Sequence, residues 1–448
     1  MRRFMYLKTS RSKAGSSGQG GILPKSSTSQ MNIEIINTGS ELMLGRVLNT
    51  HQQWLCRRLA DLGHLTTRQV AVADGAQDIQ QAVRESLSRA DLVITTGGLG
   101  PTSDDLTREL IAGLLEKKLV ANAAVLAHIE EFFAQRRRQR PARTDVETLV
   151  PEGATVFINQ FGTAPGLAMK VAPNPFSTTN KAAWLIMLPG PPRELRPMFD
   201  QSVVPFIQRE LACENFVCRT LRSTGIGESI VQEMVEPKLL PFLQQGLGVG
   251  YCARPGAVDV RLTASGPNAA ETVRAGEAVV QQILAANIYG WDDDEMENVV
   301  VAGLTRRKQT LALAESCTGG LIAHRITNVP GASEVFPGGI VGYANRSKEM
   351  FLQVPAEILR TKGAVSEEVA SAMAVGARTG FRADYALAVT GIAGPGGGTP
   401  EKPVGTVFIA LATPAGITVK KNFNAWDRET FKQVTSQQAL ELLRRELI

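Results

Sequence analysis

The sequence predicts an α/β protein of more than one domain, and three observations carry that expectation. The chain has 448 residues, too many for one ordinary hydrophobic core. From residue 32 onward, short apolar runs alternate with stretches of helical periodicity, the pattern of a doubly wound sheet. Several of those runs end in glycine turns, which is where such sheets meet their ligands.

The elements follow in order. Residues 32–38 read as a buried strand and 47–62 as an amphipathic helix with Leu48, Leu55, Leu59 and Leu62 near one face. A strand at 66–72, a helix at 79–89 and a strand at 92–96 come next, the last running into Gly97, Gly98, Leu99, Gly100 and a helix from about 105. A late strand at 184–188 stops at the stiff turn Pro189, Gly190, Pro191, Pro192. A break near Cys213 opens a small α/β middle module with a strand at 258–264 and a helix at 269–284. The acidic stretch Asp292, Asp293, Asp294, Glu295 suits the start of a helix. Beyond it, strands are expected at 311–314, 339–343, 385–390, 404–411 and 417–423, the last two paired. Helices are expected at 320–327, 366–378 and 428–447. The domain boundaries so predicted are 1–30, an extension outside the fold, then 31–212, 213–291 and 292–448.

Composition excludes several classes. A formal charge of +5 is small for this length and does not predict nucleic-acid binding. The basic run at 136–140 reads as the solvated end of a helix stopped by Pro141. Five cysteines at irregular spacing predict no disulfide framework, and neither they nor the four histidines form a metal motif. No apolar run approaches the roughly 20 residues needed to cross a bilayer. The first thirty residues are rich in Ser, Lys and Arg and lack acids. They read as an extension upstream of a start at Met31, in preference to an organelle-targeting segment. The expectation is a cytoplasmic protein without direct nucleic-acid or membrane partners.

Chemistry concentrates in the C-terminal part. Glu315, Ser316, Cys317, Thr318, Gly319, Gly320 follow a strand and precede a helix. A serine there is exposed, and N–H groups of the next helix are expected to point at it as an oxyanion hole. Equally, it reads as an N-cap with glycines spaced for packing. Two further segments favour the catalytic reading: Gly342, Tyr343, Asn345 and Lys348 after one strand, and the loop at 390–398 after another, whose N–H groups suit a phosphate. No histidine base is evident, since His324 reads as surface or packing. A Ser–Lys pair is the alternative, provided burial lowers the lysine. Arg428, near the start of the last helix, suits an anionic group.

These residues resemble a known family. AESCTGG (314–320), FPGGIVGYANRSK (336–348), GAVSEEVA (363–370) and TGIAGPGGGTPEKPVGTV (390–407) are similar to the CinA C-terminal domain, the nicotinamide mononucleotide deamidase family. The resemblance implies an amidase without cofactor, in which Ser316 attacks the carboxamide and Lys348 with Tyr343 handles the proton. Glu315, Thr318, Gly319, Gly320, Asn345, Thr390, Gly391, Gly394 and Arg428 are then the expected substrate contacts. Lys432 departs from the second arginine the family often carries. The resemblance also implies a homodimer.

It extends almost to Met31. TTGGLGPTSDDLT (95–107), GTAPG (162–166) and LPGPPREL (188–195) look like the CinA N-terminal domain, similar to molybdopterin-binding proteins. Some relatives hydrolyse ADP-ribose there with a divalent cation. On that analogy Gly97, Gly98 and Gly100 cradle a pyrophosphate, Asp104 and Asp105 are the candidate metal or base residues, and Glu41 in the first loop belongs to the same second site. The plain alternative is that Asp104 and Asp105 only cap the next helix. Ser40, His51, Ala73 and the stretch 144–147 depart from the family pattern. They favour retained nucleotide binding or oligomer formation over pyrophosphatase activity. A regulatory CinA-like binding protein is the remaining reading.

Overall fold

The computed structural model describes residues 31–211 and 216–448. The extension at 1–30, Cys213 and the break placed beside it lie outside the described residues. The described chain divides into two compact units, one within 31–218 and 264–270, the other comprising Arg219–Thr263 and Glu271–Ile448.

The first unit is built on a six-stranded sheet in the order Thr66–Val72, Ile33–Thr38, Leu92–Thr96, Ala183–Leu188, Gly166–Val171, Thr155–Phe157. The first four strands are parallel, as expected; Gly166–Val171 runs against them, and Thr155–Phe157 runs against Gly166–Val171. The sheet is therefore mixed, and the helices covering both of its faces make it doubly wound, as expected. Alternation sorts the strands onto two cores. Ile36, Val93, Leu185 and Met187 meet Ile79 and Val83 of the helix Ala76–Leu87, while Ile33, Ile35, Leu92 and Ile94 meet Leu55 and Leu59.

Two expectations here need correction. The helix predicted from 47 begins at Thr50, because the Asn49 side chain accepts the N–H of Gln52 and caps it there. Leu48 consequently lies outside the helix and is 83% exposed. The helix placed at 105 begins at Thr107, and its N-cap, Leu106, makes no side-chain bond. Asp104 and Asp105 instead close a turn, Asp105 accepting the Thr102 N–H and Asp104 the Thr102 hydroxyl.

In the second unit, a four-stranded sheet runs Gly248–Arg254, Ala257–Ser265, Phe216–Thr224, Ile288–Trp291. The helix Ala269–Leu284 falls where expected. The helix Glu228–Leu243 was not anticipated, because it carries Pro237 and Pro241 inside it, which argue against helix in a sequence. A five-stranded sheet follows in the order Gly338–Val341, Leu311–Glu315, Tyr385–Gly391, Thr406–Ala412, Ile417–Phe423. The first three strands are parallel, and the last two form the expected antiparallel pair.

The faces of this sheet differ in side-chain size. Leu311, Leu313, Leu387, Val389, Ile409 and Leu411 pack under the helices Met296–Arg307 and Arg428–Glu446. Ala312, Ala314, Ala386, Ala388 and Ala410 face the other way. Small residues there let the alanine-rich helix Glu367–Phe381 sit close, with Ala370, Ala374 and Ala377 buried against the strands.

Candidate active site

The interior strand Leu311–Glu315 ends at Ser316, whose N–H donates to the Val389 carbonyl and holds the residue at the carboxyl end of the parallel strands. Ser316 is 8% exposed, buried apart from the face it presents to a cleft of about 190 Å³. Lys348 comes from the helix Asn345–Leu352, which the sequence reading did not anticipate. Its amine lies 3.2 Å from Ser316 Oγ and also donates to the carbonyls of Gly342, at 2.8 Å, and Tyr343, at 3.2 Å. The residue is 1% exposed, and burial holds its pKa below that of an ordinary lysine.

The donor count matters. A neutral amine has two hydrogens and one lone pair. With its hydrogens on the two carbonyls, the lone pair faces the Ser316 hydroxyl, the orientation a general base requires. The adjacent Cys317 also lines the cleft, but burial pushes its thiol up to about 12. It stays protonated at neutral pH and does not compete as a nucleophile.

Tyr343 enters differently from expectation. Its carbonyl, rather than its hydroxyl, meets Lys348, while the hydroxyl accepts from Arg428 Nη2 at 2.7 Å. The side chain is 60% exposed and lines the cleft. Arg428 also donates to the Gly394 carbonyl and is half-fixed at the cleft wall. Thr390 lines the cleft too, its hydroxyl donating to the Ala364 carbonyl at 2.7 Å.

Ser316, Tyr343, Lys348, Thr390, Gly391 and Arg428 therefore share one cleft. Glu315, Thr318, Gly319, Gly320, Asn345 and Gly394 are not part of its lining. Glu315 is buried, and its carboxylate accepts the N–H groups of Gly320, Ile322 and Ala323 at the start of the helix Leu321–Thr327. Those amides were expected to face a substrate oxyanion; the carboxylate occupies them instead, where helix-dipole and charge attract. Thr318 is fully buried, and Asn345 is exposed at the first position of its helix. Ala364, Val365 and Ala393 line the cleft without having been singled out, since small apolar side chains carry no chemical signal in a sequence.

The first unit holds a larger cleft, about 540 Å³, at the carboxyl ends of its parallel strands. Glu41, Gly97, Gly98, Gly100, Asp104 and Asp105 all line it. The glycine turn packs against the protein itself: a Cβ on Gly98, at φ +68, would lie 2.0 Å from Thr107 Oγ1. Two carboxyls missed in the sequence, Glu147 and Glu194, also face the cleft. Glu147 is fully buried, one oxygen accepting the Thr163 hydroxyl and the other without a partner. Burial raises its pKa to about 7, with Arg108 pulling the other way and Asp105 and Glu194 adding to the rise. Asp104 and Asp105 were candidates for either metal or base work, on the resemblance alone. Both are bound to Thr102, and among the described residues no group of three or more Asp, Glu, His or Cys side chains is placed to hold a metal.

Fold and cleft together define a mixed α/β protein, with a molybdopterin-binding-like N-terminal sheet and a serine–lysine pair in the C-terminal one. Comparison with known proteins agrees on the parts. Residues 34–209 match the probable molybdopterin binding domain, residues 218–290 the damage-inducible protein CinA KH domain, and residues 293–447 the CinA C-terminal domain. The chain belongs to the CinA family. It is 44% identical over 413 residues to a CinA-like protein of Akkermansia muciniphila, covering 92% of this chain and 96% of that one. It is 41% identical over 421 residues to a CinA-like protein of Dictyoglomus thermophilum, covering 93% and 100%. Among solved structures, the competence/damage inducible protein CihA from Agrobacterium tumefaciens is 41% identical over 34% of this chain and 93% of its own, with a TM-score of 0.33. Among the described residues no helix is long and apolar enough to cross a membrane.

Proposed function

We propose that the C-terminal cleft is an amide-hydrolase site acting on the carboxamide of nicotinamide mononucleotide. The observation that carries this reading is the buried Lys348 amine, 3.2 Å from Ser316 Oγ with its other hydrogen bonds going to carbonyls. Lys348 accepts the Ser316 proton as Oγ attacks the carboxamide carbon, forming a tetrahedral adduct. As that adduct collapses, the proton passes to the leaving nitrogen, the C–N bond breaks and ammonia departs. Water, deprotonated by the same amine, attacks the acyl ester; the amine then returns that proton to Ser316 Oγ as the ester C–O bond breaks, and nicotinate mononucleotide leaves. Arg428 at the cleft wall is the cation available to the substrate's phosphate.

The test is to incubate the purified protein with nicotinamide mononucleotide and follow nicotinate mononucleotide by mass and ammonia by coupled assay. Wild-type protein turns over. Ser316→Ala keeps its fold by circular dichroism and releases no ammonia. Full turnover by that variant sinks the mechanism.

A second reading concerns the N-terminal cleft. A buried carboxyl titrating near neutrality in a roomy glycine-bordered cleft supports polar-ligand binding there, nucleotide included.

A further inference from the structure

The geometry points to Lys402 as a positioning residue for the C-terminal cleft, an inference that rests on the amidase reading of that site. Lys402 follows the glycine run at 396–398 in the long connection between Tyr385–Gly391 and Thr406–Ala412. Its amine does not point into the cleft. It reaches across to the segment before the helix Glu367–Phe381 and donates to the carbonyls of Lys362, at 2.8 Å, and Val365, at 2.7 Å. Between those two carbonyls lies Ala364, whose own carbonyl accepts the Thr390 hydroxyl at 2.7 Å.

Three successive anchors therefore fix one short stretch of backbone. That stretch supplies Ala364 and Val365, which form the cleft wall along with Thr390 and the catalytic pair. The segment is also tied at its ends, where the Gly363 N–H donates to the Leu359 carbonyl and the Ser366 hydroxyl to the Gly363 carbonyl, but the Lys362 and Val365 carbonyls are held by Lys402. Gly363 has φ +76, and the Lys362 side chain pairs outward with Glu368. An ammonium donating to two carbonyls makes charge-assisted bonds, stronger than neutral ones. The turn presenting Lys402 is itself closed, the Thr399 N–H donating to the Lys402 carbonyl and the Lys402 N–H to the Thr399 hydroxyl. Lys402 thus straps the glycine-rich connection to the apolar wall and sets how closely that wall meets a flat ring beside Ser316. A role in phosphate binding is at odds with its hydrogens being directed at backbone carbonyls.

The experiment compares wild type, Lys402→Met and Lys402→Arg in the full chain, with nicotinamide mononucleotide as substrate and amide hydrogen exchange as a second readout. Lys402→Met is expected to raise KM about 10- to 100-fold, the scale of a small misplacement at a reacting centre. The pH midpoint of kcat/KM, which belongs to Lys348, stays where it was, and exchange at residues 363–366 accelerates. Lys402→Arg, which keeps charge and donors, recovers most of the affinity. An unchanged KM in Lys402→Met overturns the inference, as does a pH midpoint that moves with it, because the residue would then act on Lys348 electrostatically. If wild type releases no ammonia, the amidase reading falls by itself. The strap is then judged by exchange alone, and equal rates at 363–366 in wild type and Lys402→Met overturn it.

Discussion

A lysine serves as a base only in the fraction that has lost its proton, so the burial of Lys348 has a kinetic signature. An ordinary lysine titrates near pH 10.4, which leaves roughly one amine in 2,500 neutral at pH 7. Desolvation lowers Lys348, because the charged form is the one that loses water. The rate constant kcat/KM should therefore rise with pH to a plateau whose midpoint lies below that of a free lysine. Lys348→Arg, which cannot deprotonate, should lose about 10²–10⁴-fold on the high-pH plateau, the gap narrowing as falling pH protonates the wild-type amine. A pH–rate profile for wild type and variant checks both, and a flat wild-type profile would count against the amine as base. At this scale the sequence was informative where chemistry and backbone position coincide. Ser316 sits at a strand end, and Lys348 follows the next parallel strand by a few residues, so adjacent strands bring the two together. It was uninformative where a side chain had a choice of partners. Glu315 turns to its own helix's amides and the Tyr343 hydroxyl to Arg428, and nothing local specifies either. The burial of Glu147, which makes its carboxyl unusual, arises from a tertiary fit around Thr163 and Arg108.

The helix carrying Lys348 is placed by what it touches rather than by its own sequence. Asn345–Leu352 is short and has no side-chain cap, so its position depends on packing against Glu367–Phe381. The contact is tight at one point: a Cβ on Gly376 would lie 1.9 Å from the Leu352 carbonyl oxygen. Backbone cannot yield as a flexible side chain does, so Gly376→Ala must push the two helices apart. We expect it to cost about 1–3 kcal/mol in denaturant unfolding, typical of overpacking. It should also lower kcat, because Lys348 moves with the helix away from Ser316. A variant that melts like wild type at full activity would show that the helices do not meet there. The same dependence on packing explains which elements were readable. Strands at 66–72, 92–96 and 417–423 are short runs rich in β-branched residues, and the helix at 269–284 has helical periodicity, so their bounds are set locally. Asn345–Leu352 and the proline-containing Glu228–Leu243 form because neighbours hold them, and neither announces itself by composition. The antiparallel strands Gly166–Val171 and Thr155–Phe157 likewise take their direction from pairing, which a single chain's periodicity does not encode.

At the scale of the molecule, the second unit joins two family domains, and the join is ionic. Arg222, on Phe216–Thr224, is 4% exposed; it donates to the Asp292 carbonyl at 2.7 Å and pairs with Asp259 at 3.2 Å. Arg254 bridges Asp259 and Glu295, the latter capping the helix Met296–Arg307, and also reaches the Tyr289 hydroxyl. Farther along, Arg444 of the final helix donates to the Ala286 carbonyl, and Gly256 packs on Gln437. The small four-stranded sheet is thus fastened to both ends of the helical layer that covers the catalytic sheet. A network of this kind stabilises only while complete, since removing one ion leaves its partners desolvated and unpaired. Arg222→Met should therefore destabilise this unit by about 3 kcal/mol. For roughly 220 residues, that corresponds to a fall in melting temperature of about 6–12 °C. Because the fastened parts then unfold together, loss of activity on heating should track the same transition as loss of secondary structure. Calorimetry and residual-activity curves on one sample decide the matter. If activity survives past the transition that Arg222→Met lowers, the small sheet melts by itself and the ionic join does not couple it to the catalytic sheet.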